Sequence, residues 1–498
     1  MGLDWAVPGV GCTSMSASDY RVIVGLEVHV QLATRTKMFS AATCIFGRPP
    51  NTQVDPPSLG LPGSLPVINR QAVDLAVTAA LALGCDIHPF SVFDRKHYFY
   101  PDLPKNYQIS QYDRPYCTGG GLTIDDEDGS TCFIPLTRIH MEEDAGKLIH
   151  QDQGRFSEVD LNRAGTPLIE IVSEPAIASP YQAYAFLVEL KRVLKYCQVS
   201  DCEMQEGSLR CDANVSIRPA GQSGLGTKVE IKNLNSFRAV EAALRYEVQN
   251  QVALHRAGRY DEVVQETKLW DPDARVTRSM RGKEGDADYR YFPDPDLPPL
   301  CLSDGHIAGL RDALPELPRT RQERLMASHG LNPAVAAELT AERPVAEYFE
   351  ALLAAGAPAR AAANWTREEA LRLAGARGLP MAEAAPVATM AALIALVEEG
   401  QVARVVAKGA CDDLFAGTEE PRAFFAARGM LQERNDDRLA EWIEAAIAAH
   451  PAAVVDFAAG QHKAIGRLIG AVMKASGGSA DPKAVQEALR RRLADCQG

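Results

Sequence analysis

The segment Phe292-Pro-Asp-Pro-Asp-Leu-Pro-Pro299 constrains this chain more than any other. Proline at that density continues neither a helix nor a central strand, so the segment is a boundary or a rigid crossing. The sequence changes character across it. Up to about Leu300 it is rich in strand patterns and turn residues; after about Gly309 it reads as alanine-rich helix. The expectation is an α+β fold: an N-terminal domain around a mostly antiparallel sheet, then all-α domains. The 498 residues suggest about three domains, placed at 21–308, 309–425 and 426–498 behind a disordered lead, 1–20. With 46% hydrophobic residues the chain has ample core to bury, which excludes disorder as its main state. Its longest apolar-leaning run, Ala384 to Val397, falls short of the roughly 20 residues of a membrane span.

Local signals place helices in the first regime. Ala72–Leu83 follows Asn69 and ends at Gly84; Tyr181–Tyr196 follows Ser179-Pro180; a third covers Ser236–His255. The 11 cysteines include no CxxC, so disulfide scaffolds and zinc fingers fail on spacing, and reduced thiols in a cytoplasmic protein are expected. No Lys or Arg precedes Arg21, which argues against secretory and transit peptides. Net charge is −13, which excludes a general basic coat for nucleic acid, but a local patch remains. From Gly460 onward seven basic residues, among them Lys463, Arg467 and Lys474, stand against three acids. That fits a phosphate-backbone contact or a solvated helix end.

Several strands carry an unusual polar face. In Val22–Leu32 alternation puts Val24, Leu26, Val28 and Val30 on one side, with Glu27, His29 and Gln31 on the other. In Ser208–Arg218 the polar side holds Arg210, Asp212 and Asn214; Asp and Asn are depleted in strands, so their presence asks for a ligand. Thr137–Lys147 brings Glu142, Glu143 and Asp144 together, and Glu170 lies inside the apolar run Leu168–Val172. A lone acid there is costly to bury unless paired or bound to a metal. Lys228, Glu230 and Lys232 share a fifth face. Together these predict one sheet face holding carboxylates, one histidine and a few bases. Oxygen ligands with at most one imidazole favour Mg²⁺ or Mn²⁺ over Zn²⁺, and Mg²⁺ on carboxylates usually serves a phosphate substrate. The leading reading is nucleotide-dependent phosphoryl transfer. A metal-dependent hydrolase and a structural acidic cleft are the rivals. Gly221–Lys228 looks like a phosphate loop with its Lys and Thr reversed, and reads better as a hairpin loop. The aromatic cluster His97–Tyr100 with Tyr107 and Tyr112 could stack a base or fill core.

The segments Gly25–Gln31, Phe93–Pro101, His140–Lys147, Asp160–Pro167, Glu206–Asn214 and Lys232–Phe237, with Gly460–Gly466 and Val472–Ser476 in the tail, resemble the B subunits of aspartyl/glutamyl-tRNA amidotransferases. The likeness spans about Val22 to Arg492. It implies a cradle-shaped N-terminal domain and a tail that binds tRNA. It implies ATP-dependent activation of Glu on tRNA(Gln) or Asp on tRNA(Asn), then amidation by ammonia. The ammonia would come through a tunnel from a separate amidase (glutaminase), the A subunit of the complex, with a small C subunit joining the two. Carried over residue by residue, His29, Glu143 and Glu170 match positions that hold a divalent ion. Glu27 and Asp212 match a second, weaker ion position, and Lys96 a lysine at the tunnel mouth. Strict alternation instead pairs Glu142, not Glu143, with His140, and both stay open. Arg210, Asn214 and Lys232 are the candidate nucleotide contacts. Some members carry a four-cysteine zinc site where this chain, over Met38–Gly63, has only Cys44. The cofactors expected are therefore ATP and Mg²⁺, with no zinc and that loop held by packing and its prolines.

Overall fold

The computed structural model describes residues 19–150, 156–280, 289–431, 436–458, 462–476, 480 and 482–495. The expected N-terminal lead falls almost wholly outside them. The chain forms two units, Met1–Leu317 and Pro318–Gly498.

A ten-stranded sheet organises the first unit. Its neighbours run in the order Val276–Ser279, Glu266–Asp271, Val229–Lys232, Leu209–Pro219, Tyr20–Gln31, Pro167–Ser173, Thr131–Glu143, Cys117–Thr118 and Asp86–Ile87, with Gly121–Asp125 also on Thr131–Glu143. The ladders are antiparallel except between Val229–Lys232 and Glu266–Asp271. A parallel pair needs a long crossover, and the helix Phe237–Arg256 lies in that connection. The sheet is thus the mostly antiparallel one the alternation implies.

Alternation also decides which face is core. Val24, Leu26, Val28 and Val30 are at most 1% exposed and join one core with the helices Arg70–Ala82, Pro180–Tyr196 and Phe237–Arg256. Each such side chain contributes about 1.5–3 kcal/mol on burial. The helices begin where their caps dictate: Asn69, Ser179 and Ser236 accept hydrogen bonds from the N–H groups of Ala72, Gln182 and Ala239. The compact first unit runs on to Leu317. The helix Asp304–Asp312 packs Ile307 into the sheet's core, and His306 Nε2 lies 2.8 Å from Asp74 Oδ1.

The second unit is helical. Two separate cores serve it, one around Phe349, Trp365, Leu393 and Phe425 and one around Leu468, Val472, Val485 and Leu489. In the latter, Arg467 and Lys474 are exposed on the helix Ile465–Ala475, two turns apart and so on one side, with exposed Lys463 just before it. The nine described cysteines are free. Among the described residues no helix is long and apolar enough to cross a membrane.

Candidate active site

The polar face of the central strand becomes a ladder of functional pairs. Cross-strand registers place Asn214 opposite Gly25, Asp212 opposite Glu27 and Arg210 opposite His29. On the other flank Glu170 pairs with His29 and then with His140. Glu142 lies opposite Leu168, two residues from Glu170, and so on the same face.

His29, Glu142 and Glu170 converge there. Each offers one ligand atom, and these atoms lie within 4.8 Å of one another. His29 Nε2 is 3.6 Å from Glu142 Oε1 and 3.3 Å from Glu170 Oε2. One imidazole nitrogen with two carboxylates is a donor set that fits a hard divalent cation. His140, buried, is a second imidazole on a face expected to hold one. Its Nε2 stands 3.3 Å from Glu170 Oε2, so it orients that carboxylate from behind. Alternation back from Glu142 was the signal for it.

Glu143 is not among them. It pairs with Pro167, one residue out of phase, and so faces the opposite side of the strand. There its carboxylate accepts from Lys105 Nζ and from the Ile109 N–H at 3.0 Å. It lines a separate cavity of about 140 Å³ with Lys37, Ser58 and Lys105. Lys37 is 1% exposed, and burial pushes its ammonium down to about 8.

Electrostatics reinforce the cluster. Burial disfavours the ionised carboxylate of Glu170, but His140 and His29 outweigh it and hold the group well below its ordinary range. Burial likewise opposes charge on His29, yet Glu170 and Glu142 keep its pKa at about 9. In the metal-free protein the imidazole is therefore protonated at neutral pH, and an entering cation must displace that proton. Affinity for Mg²⁺ is expected to rise with pH, by up to about tenfold per unit, and to level off near 9. Calorimetry at pH 7 in buffers of different ionisation enthalpy should detect the released proton. Affinity that stays flat from pH 6 to 8 would remove His29 from the site.

One rung along, Glu27 and Asp212 form a second acidic group. Lys232 Nζ reaches Asp212 at 2.6 Å and Glu230 at 3.0 Å, and Asn214 Nδ2 donates to Glu27 at 2.9 Å. Burial, with Glu170 nearby, raises the pKa of Glu27. Burial lowers that of Lys232, but Asp212 and Glu230 more than reverse this. Arg210 gives Nη2 to buried Asp144 at 2.6 Å, while Gln31 donates to the same oxygen at 3.1 Å and Arg163 Nε lies 3.4 Å from it. Sequence reading noted Asp144 only as one of three adjacent acids.

Lys96 sits on a hairpin formed by Asp94–His97 and Tyr107–Ser110, with Nζ 4.8 Å from the centre of the Tyr289 ring and 5.9 Å from Tyr98. Tyr291 stacks on Tyr112 at 4.2 Å. Tyr289 and Tyr291 come from beside the proline-rich crossing, and no local periodicity marks them. The loop around Cys44 is anchored by Met38 and Phe39, which pack into the main core, and by hydrogen bonds. Asp55 accepts from the N–H groups of Ala42 and Ser58, and Gln53 Oε1 from Thr43 and Ile45. Ile45, Phe46 and Leu61 of the same loop are exposed.

Fold and site together define a class of protein: an α+β sheet with a histidine–carboxylate cluster of a kind that could hold a cation, and basic groups along the same face. The sequence family described as the GatB/GatE catalytic domain matches residues 22–308, and the GatB domain matches 347–493. The B subunit of the aspartyl/glutamyl-tRNA(Asn/Gln) amidotransferase of Thermosynechococcus vestitus is 48% identical over 485 residues, 95% of this chain and 96% of that one. Those of Moorella thermoacetica and Geobacter sulfurreducens are also 48% identical, over 95% of this chain and 100% and 99% of theirs. The chain belongs to the family of these amidotransferase B subunits.

Proposed function

We propose that this chain uses ATP to activate the side-chain carboxylate of Glu on tRNA(Gln) or Asp on tRNA(Asn), and then passes it to ammonia. The convergence of His29, Glu142 and Glu170 on the same sheet face as Arg210, Asp212 and Lys232 carries this reading. A carboxylate is a poor amide precursor because its leaving group would be oxide. Its oxygen attacks the γ-phosphorus, the bond from phosphorus to the β–γ bridging oxygen breaks, and ADP leaves. Ammonia then attacks the acyl carbon, phosphate departs, and the nitrogen loses one proton.

The obstacle is repulsion between carboxylate and triphosphate. Mg²⁺ held by His29, Glu142 and Glu170 would neutralise phosphoryl charge as a Lewis acid. Arg210 and Lys232 add positive charge beside that centre, each held by a carboxylate of the chain. Lys96 and the Tyr98, Tyr289 and Tyr291 rings border the face and help exclude water, which would hydrolyse an acyl phosphate. In this reading ammonia comes from the amidase, or A, subunit, which a small C subunit joins to this chain, and the complex works in the cytoplasm. Exposed Lys463, Arg467 and Lys474 contact the tRNA backbone.

The test is ADP release by the co-purified complex with Mg²⁺ and glutamine. Release is expected only with Glu-tRNA(Gln) or Asp-tRNA(Asn), and not with the uncharged tRNAs. Misacylated tRNA that binds without stimulating release would leave the chain a tRNA-presenting scaffold.

A further inference from the structure

The reaction outlined above leaves one arginine of the site's own face unused. Arg138 lies two residues before His140 on the strand Thr131–Glu143, so both point to the polar side. Cross-strand registers set it on the rung of the second acidic group: Asp212 pairs with Glu27, Glu27 with Val172, Val172 with Arg138, and Arg138 with Thr118. Arg138 is half-buried.

Its charge is what sets it apart. Arg210 is held by Asp144, Lys232 by Asp212 and Glu230, and Lys96 lies against tyrosine rings. Arg138 has neither an ion pair nor a hydrogen bond among the described residues. Its neighbours are engaged elsewhere: Thr118 Oγ1 is 2.9 Å from His88 Nε2, and Glu174 accepts from Thr137 at 2.8 Å. Asp86, at the far end of the rung, is exposed and makes no ion pair with it. Nε of Arg138 is buried, whereas its two terminal nitrogens keep contact with solvent. A guanidinium desolvated at its stem and open at its fork leaves a charge unmatched until an anion arrives from outside the chain.

Position decides which anion. Arg210, Asp212 and Lys232 flank the cation centre on one side of the central strand, and Arg138 lies on the other, beyond Glu170. One strand across and one rung along, it is about 8 Å from Glu170 between backbones, a distance that an extended arginine largely spans. Two anions must meet at the centre, a triphosphate and the carboxylate it phosphorylates. Phosphates drawn to Arg210 and Lys232 leave the opposite flank to the carboxylate, whose two oxygens match the parallel N–H groups of a guanidinium.

We infer that Arg138 binds the side-chain carboxylate of the amino acid carried by the tRNA and presents it to the γ-phosphorus. This rests on the ATP reading above. Each carboxylate oxygen keeps a lone pair beyond the one that accepts an N–H, so the bound group still attacks.

The experiment uses the co-purified complex and its Arg138→Gln and Arg138→Lys variants. ADP release is measured against ATP and against the misacylated tRNA that the parent uses. Equilibrium binding is measured, without ATP, for that tRNA and for its amidated product, which differ only by carboxylate against amide. Arg138→Gln is expected to lower kcat/KM for the misacylated tRNA at least about tenfold and to leave the KM for ATP within about twofold. It should weaken binding of the misacylated tRNA and leave the amidated one within about twofold. Arg138→Lys keeps the charge without the fork, and a loss of at least about threefold on the same tRNA is expected. That variant keeps the test valid should Arg138→Gln fail to fold. Equal weakening of both tRNAs would put a backbone phosphate on Arg138, and a raised KM for ATP alone a nucleotide phosphate. Either result, or no change in any of these quantities, overturns the carboxylate site and leaves the ATP reading standing. A parent complex that releases no ADP with either misacylated tRNA overturns both.

Discussion

Replacing Glu142 by Gln is expected to lower Mg²⁺-dependent ADP release by about 100-fold at fixed Mg²⁺, with partial recovery at higher concentration. The substitution keeps size and removes one of the two anionic donors of the proposed cation centre, and losing even an outer partner of a metal ligand costs about 10- to 100-fold. The informative partner is Glu143→Gln. Glu143 faces the other side of the strand and holds Lys105 and the Ile109 N–H. Its substitution should leave the midpoint of the Mg²⁺ titration unmoved, whatever it does to the rate. The pair separates two adjacent acids, of which the family likeness points to Glu143 and strict alternation to Glu142. A midpoint that moves with Glu143→Gln and not with Glu142→Gln would mean that the cation centre lies on the opposite face.

The largest stability effect is expected at Asp144. Its carboxylate is buried and sits against Arg210, Arg163 and Gln31. Burial would raise its pKa, but the two guanidinium groups more than reverse that and hold it low. Asp144→Asn removes the one anion that both arginines face together, leaving Arg210 only Glu142 and Asp212 nearby and Arg163 only Asp102. Breaking a fully buried pair costs about 3–5 kcal/mol. Arg210 and Arg163 are about a third exposed, so water recovers part of this, and about 2–3 kcal/mol is expected. A depressed carboxylate stabilises the fold above its unfolded value, near 4, and that contribution is lost as pH falls through the folded value. The deficit of the variant should therefore be full at pH 7 and shrink in acid. Denaturant unfolding of parent and variant at both ends of that range measures it. A difference below about 0.5 kcal/mol at pH 7 would mean the network contributes nothing. The same substitution should also loosen Arg210 beside His29, so weaker tripolyphosphate binding is expected alongside the lost stability.

Much of this molecule is legible along the chain. Alternation in Val22–Leu32 and Ser208–Arg218 assigned Glu27, His29, Asp212 and Asn214 to one side and the valines and leucines to the core, because a strand's period is set by local stereochemistry. Counting in twos from His140 pointed to Glu142, against the residue that likeness suggested. The caps Asn69, Ser179 and Ser236 placed three helices, since a cap bonds within its own first turn. What no local rule contained is which strand lies beside which. His29 meets Glu170, and Glu170 meets His140, only because Pro167–Ser173 sits between the central strand and Thr131–Glu143. The grip of Asp144 on Arg210 and the approach of Tyr289 to Lys96 likewise join segments far apart in sequence. Periodicity is decided by neighbours a few residues away and survives in the sequence. Strand order is decided by how the whole apolar face is covered, and only the folded chain carries that.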